Sequence, residues 1–229
     1  MEDEKQVSVK AADGERLLTE AETKRYRTLL KTQAELESQG FVRTDRIISL
    51  KKANTVGNLA ILPIVAVIVI IYILINGVNF TSKATVAEYG KSAPIWFFGM
   101  IAVCMACFFV HELIHGFFWS LGSKNGWKDI ELGFIAKMLT PYCTCKSPIS
   151  RKTYVFGSLM PMTLLGIVTG IVAIVLGNPF ILLFSIIHTF GGAGDILISG
   201  MILSDKIDGK EVLIFDHPYD CGYILFEKK

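Results

Sequence analysis

The chain has 229 residues, a net charge of +2, a hydrophobic fraction of 52% and a mean hydropathy of +0.47. With its apolar residues gathered into long runs, it fits a membrane protein better than a soluble globule, and no basic stripe interleaved with aromatics points to nucleic acid, so none is expected as a partner. Its five cysteines are an odd number with two inside an apolar run, which argues against a disulfide framework and for free thiols in a reducing compartment.

Residues 1–52 hold 11 Lys/Arg and 10 Asp/Glu, and the first apolar run begins only near residue 56, so no signal peptide is expected. This N-terminal tail contains one amphipathic helix candidate over 14–38, with Leu17, Leu18, Ala21, Leu29, Leu30 and Leu36 as its stripe and Gly40 as its stop. It reads as a docking helix, or alternatively as a membrane-surface helix. Four runs then reach the ~20 residues a helix needs to cross a bilayer: 56–75, which carries Pro63, then 95–121, 156–176 and 180–203. The expected fold is an all-α membrane protein: four transmembrane helices at 53–204 between an N-terminal tail at 1–52 and a C-terminal tail at 205–229. Loop charge orients it. Loop 76–94 has only Lys83 and Lys91, loop 122–155 has Lys124, Lys128, Lys137, Lys146, Arg151 and Lys152, and the tail after 204 has Lys206, Lys210, Lys228 and Lys229. The positive-inside bias therefore puts both termini in the cytoplasm, and the expected setting is a bacterial cytoplasmic membrane. Within loop 122–155, Pro141 and Pro148 resist helix, and Thr140, Tyr142 and Thr144 alternate with Pro141, Cys143 and Cys145. This predicts an interfacial, strand-like segment at Thr140–Cys145. Gly166 and Gly170 form a small-xxx-small step for close helix packing.

The second apolar run carries His111-Glu112-Leu113-Ile114-His115. Ionisable side chains are costly inside a span and mark function there. On a helix, residues i and i+4 share a face, so both imidazoles can bind one Zn²⁺, while Glu112 stands about 100° away, placed to take a proton from water. Two ligands leave tetrahedral zinc incomplete. The remaining candidates within the spans are Asp195, His188, Cys104 and Cys107. The cysteines share the face of His111 and His115 but cannot approach the metal from the far side, so they read as small packing residues. Depth favours Asp195. His111 lies about 16 residues past Ile95 and Asp195 about 15 past Phe180, so at ~1.5 Å per residue both sit ~23 Å down parallel helices. His188 would sit ~10 Å away along the axis, better placed to back a ligand or touch substrate. Pro141, Tyr142 and Thr144 are further candidates for contact with an extended substrate.

These residues resemble the zincin membrane-peptidase family, a group first catalogued as a domain of unknown function and similar in plan to the site-2 intramembrane metalloproteases. The resemblance rests on His111-Glu-Leu-Ile-His115-Gly116, Thr140-Pro-Tyr-Cys-Thr-Cys145, Leu159-Met-Pro161 and Gly194-Asp195, and covers roughly 47–216. It implies zinc, hydrolysis of peptide bonds in a membrane-protein or peptide substrate, His111 and His115 as ligands, Glu112 as catalytic acid/base, and Asp195 by position as the aspartate ligand. The Asn-Pro-Asp-Gly type of motif is absent, with Gly-Ala-Gly-Asp195 in its place. Two other classes stay open: a non-proteolytic metal carrier or transporter using the same ligands, and an assembly protein whose buried polar residues only specify helix pairing.

Overall fold

A computed structural model describes residues 7–12, 14–78, 93–135, 140–209 and 211–228. Lys83, Lys91, Lys137, Lys210 and Lys229, all counted in the loop-charge reading, lie outside them. The chain is not all-α. Among the described residues three β-sheets accompany the helices, and three helices rather than four are individually long and apolar enough to cross a membrane.

Those three are α2 (Leu50–Asn76), α3 (Ala93–Ser120) and the continuous rod Arg151–Leu176. The rod comprises α4 (Arg151–Pro161), a π-helical stretch Met162–Val168 and α5 (Thr169–Leu176). The expected fourth span is instead two short helices, α6 (Pro179–Gly191) and α7 (Ala193–Ser204), bent by 44° between them. Its cause is the Gly191-Gly192 pair. Met162 packs so close to Gly192 that an added Cβ would lie 2.7 Å from its side chain. Where α2 crosses this break, Gly57 brings the backbones together: a Cβ there would stand 2.5 Å from the Ala193 carbonyl oxygen.

Gly166 and Gly170 do serve close packing, against Thr189 and Ser185 of α6. The π-helical register loosens main-chain carbonyls there. Ser185 Oγ donates to Gly166 O (2.7 Å) and Thr169 Oγ1 to Leu165 O (2.5 Å). In the turn Gly177-Asn178-Pro179, Gly177 adopts φ +62°, and Asn178 Oδ1 caps α6 by accepting from the Phe180 and Ile181 amides.

The two ends of the chain, read as tails, build a cap. Strands β1 (Ser8–Ala11) and β2 (Gly14–Leu17) form a hairpin. Helix α1 (Glu20–Ser38) follows, opened by a capping box in which Thr19 and Glu22 bond each other's amides. β3 (Phe41–Ile47) then pairs with β8 (Gly222–Lys228), which pairs with β7 (Glu211–Asp216), which pairs with β6 (Ile149–Ser150), all antiparallel. One face of this sheet packs on α1 through Leu29, Leu36, Phe41, Phe215, Ile224 and Phe226. The other packs across the helix ends, where Ile214, Tyr223 and Leu225 meet Trp119, Tyr154 and Ile202. A separate hairpin, β4 (Ile130–Ile135) with β5 (Thr140–Cys145), lies along the last turns of α3.

Candidate metal centre

The last three turns of α3 put His111 and His115 on one buried face, each 4% exposed. The Gly191-Gly192 break re-aims the chain so that Asp195 stands in the first turn of α7, where the helix dipole favours a carboxylate. His111 Nε2 comes to 3.2 Å from Asp195 Oδ2, and His115 Nε2 to 3.4 Å from Asp195 Oδ1. All three ligand atoms fit within 4.8 Å of one another. Asp195 keeps 23% of its side chain exposed, which leaves an opening to the cluster.

His115 Nδ1 lies 3.0 Å from the Gly157 carbonyl. A carbonyl only accepts, so Nδ1 carries a proton, and in the neutral ring Nε2 turns a lone pair towards Asp195. Gly157 is free to do this because the residue four positions on is Pro161, which has no N–H to give it. Position 157 must also be glycine, since a Cβ there would lie 2.3 Å from Trp119. Trp119 stacks on His115 (5.0 Å) and on Tyr154 (5.2 Å) and donates Nε1–H to the Tyr154 carbonyl. His115 is thereby fixed in tautomer and ring plane, as outer partners fix metal-binding histidines.

In its neutral form His115 thus sets an acceptor against an acceptor, an arrangement that a cation between them resolves, and His111 Nε2 points to the same carboxylate while its Nδ1 has no partner. The distances suit a cation: with zinc bonds of ~2.0–2.1 Å, the edge of a tetrahedral site is ~3.3 Å. Two His nitrogens and a carboxylate oxygen are also a donor set that zinc takes. The residues present therefore fit the metal.

Glu112 is half-buried beside the cluster, with Cys143 of β5 near its carboxylate. Strand β5 lies on the site because Gly116 makes room: a Cβ there would come within 2.9 Å of Ile130 and 3.4 Å of Cys143 Sγ. The bond from Lys146 N–H to Asp129 O, with the register of the hairpin, turns the main-chain groups of Pro141, Cys143 and Cys145 away from β4. Of these, Cys145 N–H goes to Asp216 Oδ2 (3.1 Å) and Pro141 has no N–H to offer. Burial pushes the Cys145 thiol up to about 11 and that of Cys143 further in the same direction, which keeps both as inert thiols.

The remaining candidates fall elsewhere. His188 is fully buried between Phe108 (5.1 Å) and Phe184 (4.3 Å), outside the three-ligand cluster, and both ring nitrogens lack partners. Tyr142 turns towards the cap, its ring under the Arg25 guanidinium and its hydroxyl bonded to it at 2.9 Å. Thr144 donates to Asp216 Oδ2 (2.8 Å), and Pro141 is buried. Cys104 and Cys107 are free and stand apart from the ligands.

Asp216, which the sequence does not single out, joins three elements: it accepts from Tyr154 Oη (2.5 Å), Thr144 Oγ1 and the Cys145 amide.

A family model described as "Putative zincin peptidase" matches residues 104–208, a little under half of the chain, and supports a zincin-like family and a possible zinc peptidase for that segment. It contains His111, Glu112, His115, Gly157, Pro161 and Asp195 but not the strands of the cap beyond β6. No curated protein and no solved structure matches the chain.

Proposed function

We propose that the protein is a zinc-dependent peptidase embedded in a membrane, hydrolysing peptide bonds of a membrane protein or peptide in or near the bilayer. The observation that carries this reading is the convergence of His111, His115 and Asp195 beside Glu112. His111, His115 and Asp195 would hold the metal. When bound, zinc supplies Lewis-acid polarisation of a carbonyl and acidifies water. Glu112 takes the proton of the attacking water and returns it to the departing amine. The outward carbonyl of Cys143 on β5 would be offered to an amide of an extended substrate.

The plan of the site-2 metalloproteases suits these parts, with both termini on the cytoplasmic side of a bacterial membrane. Support for a common side comes from the cap, since β3 precedes the apolar helices, β7 and β8 follow them, and all lie in one sheet. Glu112→Gln keeps the size of the side chain and removes the base. It is expected to retain zinc and to lose cleavage of a single-span test substrate by roughly 10²–10⁴-fold. Cleavage at the parent's rate would remove the base assignment and leave metal carriage as the reading of the same ligands.

A further inference from the structure

Strand β3 is the outer strand of the cap sheet, and among the described residues no strand lies beyond it. Its register with β8 and the bond from Ile48 N–H to Cys221 O (2.9 Å) settle which groups face which way. Val42, Thr44 and Arg46 exchange main-chain bonds with β8, so those of Phe41, Arg43, Asp45 and Ile47 point outward. Exposed edges are usually defended by proline, by a bulge or by repelling charge. β3 has no proline, and its pairing with β8 runs without a bulge over all seven residues. Its charges are of both signs: Arg43 and Asp45 form an ion pair at 2.6 Å. Val42 is 49% exposed and Ile47 40%. An open groove of about 550 Å³, lined by Gln33, Glu37, Phe41, Val42, Arg43 and Asp45, runs beside the edge.

We propose that β3 is an interface for a second copy of this chain, the two β3 strands pairing antiparallel about a two-fold axis at Thr44 and joining two cap sheets into one. In that register the outward residues meet. Arg43 lies opposite the partner's Asp45, Phe41 opposite the partner's Ile47, and each pair exchanges both main-chain hydrogen bonds. The register is specified by charge. A slip of two residues one way sets Asp45 against the partner's Asp45, and a slip the other way sets Arg43 against the partner's Arg43; like charges directly opposite are destabilising. The symmetry also suits a membrane. The dyad of an antiparallel pair runs perpendicular to the sheet, and this sheet lies across the helix ends, with α1 on its other face. The axis therefore runs along the helices, and both copies point them the same way, as two chains of one bilayer must.

The test is cysteine cross-linking of the full chain in its membrane. Thr44 would face Thr44 of the partner as a non-hydrogen-bonded pair with Cα atoms ~4.5 Å apart, within the span of a disulfide. Under mild oxidation Thr44→Cys is expected to give a covalent dimer roughly ten-fold faster than Val42→Cys, whose two copies would stand ~13 Å apart along the strands. Val42→Cys mixed with Arg46→Cys is expected to cross-link, because that register opposes them. The parent with its five cysteines sets the background. Independently, Asp45→Arg should dissociate the dimer in detergent, and the swap Arg43→Asp with Asp45→Arg should restore it. Cross-linking of Thr44→Cys no faster than Val42→Cys, or a parent that runs as a single chain by light scattering, would overturn the proposal.

Discussion

The cluster of His111, His115 and Asp195 and the cluster of Asp216, Tyr154 and Thr144 are both polar groups withdrawn from water, but they are completed in opposite ways. Around Asp216 a carboxylate meets hydroxyl and amide donors, each with a proton to give. Around Asp195 the nearest atom of His115 is a ring nitrogen whose proton sits on the far side of the ring, committed to Gly157. The first arrangement is self-sufficient and reads as a clasp between cap, hairpin and helix. The second brings two imidazoles and a carboxylate to one point, and that donor set is what singles it out as a metal centre.

The sharpest way to break the clasp is Asp216→Ala. It strands the Tyr154 hydroxyl and the Cys145 amide, and bonds to a charged group are worth ~1.5–3 kcal/mol each. Melting in detergent is expected on the order of 5 °C lower, and mass spectrometry should find Cys143 and Cys145 newly labelled by a maleimide. Unchanged labelling would mean that Asp216 does not hold the hairpin down. A smaller effect is expected from Pro161→Ala. It gives α4 an amide that competes with His115 for the Gly157 carbonyl, and loss of such a partner typically weakens metal binding by ~10–100-fold. A zinc titration with an unchanged midpoint would disconnect Pro161 from the site. The smallest lies in the cap, at the N-terminal end of α1. Burial alone would raise the Glu22 carboxyl, but its bonds to Arg16 and Thr19 outweigh that and lower it to about 2. Its contribution is thus full above the ordinary carboxylate range and is lost as pH falls towards 2. The parent should lose melting temperature more steeply than Arg16→Met between about pH 4.5 and 2, and equal slopes would contradict the assignment.

The same contrast explains what could be read from the sequence. His111, Glu112 and His115 were legible because a helix converts fixed spacing into a shared face. Asp195 followed from depth along two helices, although the break at Gly191-Gly192 was not foreseen. Strand β5 was legible from its prolines and its alternation. The cap was not. Strand β7 reads Glu-Val-Leu-Ile-Phe-Asp, with no alternation between apolar and polar, because α1 covers one face of the sheet and the helix ends cover the other. β8 pairs with β3 from the opposite end of the chain, and such pairing leaves no mark in local spacing. Asp216 was illegible for the same reason, since all its donors come from distant segments. Gly157 gave no signal alone. Only the proline four residues on hints that its carbonyl is free.

Metal content decides the central claim most directly. The parent, Asp195→Ala and His188→Ala would be purified side by side without chelator and their zinc measured per chain. One zinc is expected in the parent, with retention in His188→Ala, whose ring lies between Phe108 and Phe184, and loss in Asp195→Ala, which removes the carboxylate of the three-ligand cluster. Full zinc in Asp195→Ala with loss in His188→Ala, or a parent that binds none, would contradict it.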